Sequence, residues 1–197
     1  SGDMLMYCQQ TAEAAGLSPQ LYRQALHNLV LPRQYQTIVA CGVIGVGTSR
    51  AQDFVALQRL HDHLLPGGML IFNGVPAYAD ASLWPLWRKD ARGHLPKPWP
   101  ADIGKPPADG HESELHYRLV TVDPFKQQTS GEMRMLLFKD GRLAADDTYT
   151  LTSNYYFPNE MQLVLEKVGF TLEAVKGDWT DADATAEHDA VVYFARK

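Results

Sequence analysis

The sequence predicts an α/β fold, on three observations. Residues 35–73 read strand, glycine-rich turn, helix, Pro-Gly-Gly turn, strand. Residues 113–153 read as consecutive strands joined by short turns. Residues 157–197 read helix, strand, acidic loop, strand. The first is a βαβ unit, whose strands must be parallel and whose crossover is right-handed. The second is an antiparallel meander, which cannot continue a sheet built of βαβ units. It is placed beside the main sheet, as a lid or subdomain.

Residues 3–15 predict the first helix. Met4, Leu5, Cys8, Ala12 and Ala15 share a face, and Gly16 stops it. Residues 21–24 have the length of a short strand. The run Gln36-Thr37-Ile38-Val39-Ala40-Cys41 is β-branched and apolar, as suits a strand buried on both faces. Gly42-Val43-Ile44-Gly45-Val46-Gly47 follows at its carboxyl end, where open α/β sheets bind ligands. Ser49 caps the crossover helix, with Gln52 as capping-box partner. Phe54, Leu57, Leu60 or His61, and Leu64 recur at helical spacing. Leu65-Pro66-Gly67-Gly68 ends that helix, and Met69-Leu70-Ile71-Phe72 is the second strand.

Residues 74–112 change character. Pro76, Pro85, Pro96, Pro98, Pro100, Pro106 and Pro107 cluster with Tyr78, Trp84, Trp87 and Trp99. A short helix over 81–91 places Leu83, Trp84 and Trp87 on one face, and the rest is loop. Residues 114–123, 128–139 and 142–152 are the meander strands. Asp123-Pro124 and Lys139-Asp140-Gly141 supply its turns. The helix over 157–168 has Pro158 and Glu160 in its first turn and Gly169 at its end. Met161, Val164, Leu165 and Val168 form its apolar stripe. Residues 170–176 and 190–195 are the last two strands.

Composition bounds the function. The chain has 197 residues, 45% apolar and 10% aromatic, which is a globular, core-forming composition. A net charge of -5 argues against nucleic-acid binding, since no basic face replaces phosphate counterions. Cys8 and Cys41 have no ligand spacing and read as reduced, buried thiols. No apolar run reaches the roughly 18–20 residues of a membrane span. No secretory signal is recognised ahead of Met4, so a cytoplasmic protein is expected. His61 and His63 are two apart on a helix and point apart. His111 and His116 lack a ligand pattern, so no metal is expected. No Gly-x-Ser-x-Gly elbow is present.

Asp3-Met4-Leu5, Leu31-Pro32-Arg33-x-Tyr35-x-Thr37-Ile38, the crossover helix and Leu64-x-Pro66-Gly67-Gly68 before a strand together resemble class I S-adenosylmethionine (SAM)-dependent methyltransferases. The resemblance is to the bacterial small-molecule branch and covers essentially the whole chain. One departure is large. The glycine-rich motif that opens the family's domain, and the acid ending its second strand, have no counterpart in the sequence. The resemblance therefore implies a partial Rossmann-like sheet, its first two strands absent, with an antiparallel β-meander lid. It divides the chain into a partial SAM-binding core (1–73), an aromatic loop and lid (74–156), and a helix and strand pair completing the sheet (157–197).

The resemblance also implies roles. Ala40, Cys41 and Gly42 would contact the methionine part of SAM. Gln24, Ala25 and Leu26 lie where the family contacts adenine. Many members carry Asp where Ala25 stands, so recognition would fall to backbone or to Gln24. Ser1 and Met4 would lie near ribose and adenine, although a place in the helix core is the simpler reading of Met4. Tyr78, Trp84, Trp87 and Trp99 suit an apolar or cationic acceptor pocket, or equally a satellite core under the loop. Arg118, Asn154, Tyr155 and Tyr156 would orient a substrate, with a solvated strand face the simpler reading of Arg118.

Loss of the first two strands would leave one edge of the strand at 36–41 open, which is costly. Residues 21–24 could pair there, a second copy could cover it as a homodimer, or a front end exists and is missing here. The last is favoured. The expected activity is methyl transfer to a small molecule by a truncated enzyme, with weak SAM binding in the chain as it stands. The alternative is a non-catalytic binding or scaffold protein on the same fold.

Overall fold

The computed structural model describes residues 1–101, 103–104 and 112–197. Pro106, Pro107 and His111 lie outside the described residues. The main sheet has four strands in the order β1-β2-β7-β6. These are β1 (Tyr35–Ala40), β2 (Leu64–Gly74), β6 (Thr171–Gly177) and β7 (Val191–Arg196). A separate meander holds β3 (Ser113–Asp123), β4 (Gln128–Lys139) and β5 (Arg142–Asn154) in sequence order.

β1 and β2 pair parallel, with Thr37 opposite Met69 and Ala40 opposite Phe72. They are joined by α2 (Arg50–Asp62), as a βαβ unit requires. Ser49 and Gln52 close a reciprocal capping box at its start. β7 pairs antiparallel with both β2 and β6. α3 (Pro158–Val168) lies beside α2, and both cover the sheet. The core joins Leu57 and Leu60 of α2, Leu70 and Phe72 of β2, Met161 and Leu165 of α3, and Val191, Tyr193 and Ala195 of β7. Tyr193 stacks on Phe72, with ring centroids 4.9 Å apart.

Six sequence expectations need correction. β1 is not buried on both faces: Gln36, Thr37 and Val39 are exposed, because no described strand or helix covers that side. Leu64 to Gly68 belong to β2, not to the helix and its stop, since α2 ends at Asp62 and Tyr35 pairs with Leu64. Residues 21–24 form no strand. The Gln24 amide donates to the Val30 carbonyl (2.9 Å) and accepts from the Val30 amide (2.7 Å). That ring folds the segment into a turn, and the Leu26–Asn28 3₁₀ turn packs on α2 instead. Residues 81–91 are two 3₁₀ turns, Trp84–Trp87 and Lys89–His94, rather than a helix. The Arg92 guanidinium takes the Leu86 and Trp87 carbonyls at 3.3 and 2.8 Å, acceptors that a continuing helix would have used. α1 (Gly2–Ala14) forms as expected but buries no residue, and Met4 is 73% exposed rather than core. Cys8 and Cys41 are free and exposed, not buried. At residues 21–24 and 81–91 a competing side-chain bond, from Gln24 and from Arg92, takes the backbone groups a strand or helix would use; at α1 and the two cysteines no described residue covers the exposed side chains.

Two predictions follow from the core. Leu70 and Leu165 are fully buried, so Leu70→Ala or Leu165→Ala should each lower unfolding free energy in urea by about 2–5 kcal/mol. The His61 ring meets Phe170 edge-on at 4.9 Å. Burial first, and then the Lys197 charge, hold its pKa below the ordinary 6.5. The folded state therefore favours neutral His61. That contribution is complete above pH 6.5 and is lost as pH falls from 6.5 toward the lowered folded value. The urea midpoint should drop over that window, and His61→Phe should flatten the drop.

Candidate functional site

The carboxyl end of β1 runs into the glycine loop. Gly42 has φ +61°, and its amide donates to Asn73 Oδ1 at the end of β2 (2.8 Å). That bond ties together the ends of the two parallel strands. A Cβ at Gly42 would meet nothing within 4 Å, so the backbone at the strand ends, the Gly42 notch, stands exposed. Gly45, at φ +83°, has a different reason to be glycine. A Cβ there would stand 2.5 Å from the Asn154 carbonyl oxygen. The loop lies along the end of β5: the Asn154 amide donates to the Gly45 carbonyl and the Gly47 amide to the Thr152 carbonyl, both at 2.7 Å.

Asp53 of α2 fixes this junction. It is only 2% exposed. Oδ1 accepts from the Gly45 amide at 3.2 Å and from the Thr48 hydroxyl. Oδ2 accepts from Asn154 Nδ2 and from the Tyr156 hydroxyl, both at 2.8 Å. Four donors on a buried carboxylate satisfy its acceptor capacity, as burial of a charge demands. Arg50 adds a second clamp. It donates to Glu160 Oε1 (2.7 Å), Gln127 Oε1 (2.7 Å) and the Tyr155 carbonyl (2.5 Å), while its guanidinium lies 4.4 Å from the Tyr156 ring centroid. Burial, and then the Asp53 charge, raise the Tyr156 phenol far above its ordinary value. Tyr156 is therefore a donor here and no base.

The structure sorts the expected site residues into groups. Asn154 and Tyr156 come together with Asn73, Gly74, Met161 and Tyr193 around a cavity of about 40 Å³ at the end of β2. Tyr78 lies by Tyr193, whose phenol is raised first by burial and then by Tyr78. Tyr78, Trp84, Trp87 and Phe157 form one aromatic cluster, with neighbouring centroids 5.7–6.2 Å apart. The Trp87 indole N–H is buried there without an acceptor among the described residues. Arg118 stands elsewhere. Strand alternation puts it on the opposite face of β3 from Tyr117. It is paired with Glu132 at 2.8 Å and stacked 4.5 Å from the Trp99 ring centroid.

Ala40 is buried at the end of β1, and Cys41 and Gly42 stand exposed beyond it. Leu26 packs against the core by α2. Next to it, His27 Nε2 meets Gln52 Nε2 at 3.3 Å, leaving His27 Nδ1 buried without a partner among the described residues. Ser1 is used as the cap of α1, accepting from the Met4 amide at 3.2 Å. Ala25 offers no polar side chain, and the Gln24 amide is used at both ends by Val30. Asp53 and Arg50 escaped the sequence reading. The signal for Asp53 was present: an acid in register with Ala56, Leu57 and Leu60, the buried stripe of α2. Among the described residues no cluster of three or more His, Cys, Asp or Glu could hold a metal.

No protein-family model and no curated protein sequence matches the chain. Solved structures do. A SAM-dependent methyltransferase from Clostridium acetobutylicum matches all of this chain and 72% of its own, at TM-score 0.73 and 15% identity. The CcbJ methyltransferase from Streptomyces caelestis matches 95% of this chain and 68% of its own, at TM-score 0.65 and 15% identity. SAM-bound CalS10, an amino pentose methyltransferase from Micromonospora echinaspora, matches all of this chain and 71% of its own, at TM-score 0.56 and 14% identity. The fold is that of SAM-dependent methyltransferases. On this methyltransferase fold, the Gly42 notch lies at the carboxyl ends of parallel strands, where α/β sheets bind their ligands.

Three substitutions test the junction by urea unfolding. Asp53→Asn sets an amide N–H₂ against donors and should cost at least about 2 kcal/mol. Tyr156→Phe removes one donor and should cost about 1 kcal/mol. Gly45→Ala, strained at positive φ and blocked by the Asn154 carbonyl, should cost more than about 1 kcal/mol.

Proposed function

We propose that this chain serves methyl transfer from SAM to a small-molecule acceptor, with the cofactor's methionine part against Ala40, Cys41 and Gly42. One observation carries the reading: an exposed glycine turn, tied to Asn73, at the carboxyl ends of the parallel strands β1 and β2, on a fold shared with methyltransferases. The residues present fit part of the group. Gly42 leaves room for close approach. Leu26, where adenine is expected, packs against the core and offers an apolar contact. Gln24 does not fit a direct role, since Val30 occupies its amide.

When bound, SAM would supply an electrophilic methyl on a sulfonium. The chain's own part is orientation, which in-line displacement needs before any base. Tyr78, Trp84, Trp87, Asn154 and Tyr156 are assigned to the acceptor side. Asn154 and Tyr156 act by holding the glycine loop to β5, and the aromatic cluster walls the acceptor. Arg118 drops to a supporting role through its Glu132 pair. A homodimer across the outer edge of β1, which carries no strand among the described residues, belongs to the same proposal. So does a cytoplasmic location; among the described residues no helix is long and apolar enough to cross a membrane.

A second reading keeps the fold without catalysis. The exposed apolar row of Leu115, Met135 and Tyr149 on the meander favours a binding protein. Titration of S-adenosylhomocysteine into the protein, followed by amide NMR, separates the two. The methyltransferase reading expects shifts at Cys41 and Gly42, a Kd weaker than low micromolar, and loss of both in Gly42→Val. Unmoved Cys41 and Gly42 amides at saturating ligand would favour the binding protein.

A further inference from the structure

We propose that the cavity between β3 and the turn at residues 80–83 binds a small zwitterion of amino-acid type. Its ammonium would lie against Asp80, Tyr117 and Tyr155, and its carboxylate against Lys97. The cavity holds about 190 Å³ and is distinct from the Gly42 notch. It is smaller than the roughly 300–1,000 Å³ of pockets for drug-sized ligands. That size suits a metabolite with the dimensions of one amino acid.

Each wall is fixed by the fold. Asp80 Oδ1 accepts from the Ser82 amide (2.8 Å), the Ser82 hydroxyl (2.8 Å) and the Leu83 amide (3.1 Å). Oδ2 accepts from no described residue, so the carboxylate is oriented on one side and free on the other. Tyr117 and Tyr155 face the same space. Both phenols are raised, first by burial, and Asp80 adds to the rise in each. They remain neutral phenols whose rings can flank a cation. The Tyr117 ring lies on the bare Cα of Gly131 in β4, where any Cβ would collide with it. Buried Leu83 and Leu119 supply an apolar floor for a side chain. Lys97 is exposed, and its amide donates to the Leu119 carbonyl at 3.0 Å, which holds its backbone to the edge of β3.

Charge selects the ligand. A simple cation would find Asp80 and also meet Lys97. A simple anion would find Lys97 and also meet Asp80. A zwitterion gives each lining charge its opposite and leaves neither unpaired. Its amine enters first, toward the half-buried carboxylate, and its carboxylate stays outermost. The inference does not depend on methyl transfer and is tested without SAM.

The test is calorimetric titration of the protein with each of the twenty standard amino acids. The best binder is then compared with the corresponding amine lacking the carboxylate and the corresponding acid lacking the amine. The expected result is saturable one-to-one binding of at least one amino acid, weakened about tenfold or more by loss of either charge. Asp80→Asn and Gly131→Ala should each weaken it comparably, with circular dichroism confirming the fold. Lys97→Met should narrow the gap between amino acid and amine while leaving the amine's own affinity intact or improved. Absence of saturable binding by all twenty would overturn the proposal. So would an amine that binds as tightly as its amino acid, or binding unchanged in Asp80→Asn.

Discussion

The buried Asp53 carboxylate is the constraint on which the rest of the structure depends. Its four donors come from the glycine loop, from the end of β5 and from the strand exit at Tyr156. One side chain on α2 therefore ties the main sheet to the meander. A buried charge is costly unless its acceptor capacity is filled, so each donor lost from the junction weakens it. Bringing all four donors to it requires glycine at position 45, where β5 runs too close for a Cβ.

The junction divides labour between two sheets. The main sheet supplies an exposed glycine turn at the ends of β1 and β2. The meander contributes Asn154 and, through Tyr117 and Tyr155, a second cavity. The sequence Asn154-Tyr155-Tyr156 carries both. Consecutive side chains on an extended segment point to opposite sides, so Asn154 and Tyr156 face Asp53 while Tyr155 faces the cavity by β3. The far face of β3 and β4 is spent on ion pairs, Arg118 with Glu132 and, across to β5, Arg134 with Asp146, capped by Trp99.

Much of the fold was legible because its signals are local. The Ser49 and Gln52 capping box, the Asp140-Gly141 turn and the 3.6-residue stripe of α3 each act within a few residues. They survive folding unchanged. The errors fell where a local preference needed a partner. Leu83, Trp84 and Trp87 have helical spacing, yet Arg92 takes the carbonyls that a helix would need. Residues 21–24 resemble a strand, yet Gln24 bonds to Val30 before any ladder can form.

The sequence alone determined the βαβ unit, the meander, the closing helix and strand pair, and the glycine loop at the end of a parallel strand. Those follow from periodicity and turn chemistry, which are written along the chain. Only the tertiary structure decided that Asp53 and Arg50 organise the site, that Arg118 turns away from it, and that Asp80, Lys97, Tyr117 and Tyr155 share a cavity. The Arg50 and Glu160 pair spans 110 residues, and Asp53 reaches Asn154 across 101. Contacts at such separation leave no periodic trace. They exist only once burial has brought the partners together and made an unpaired charge too costly to keep.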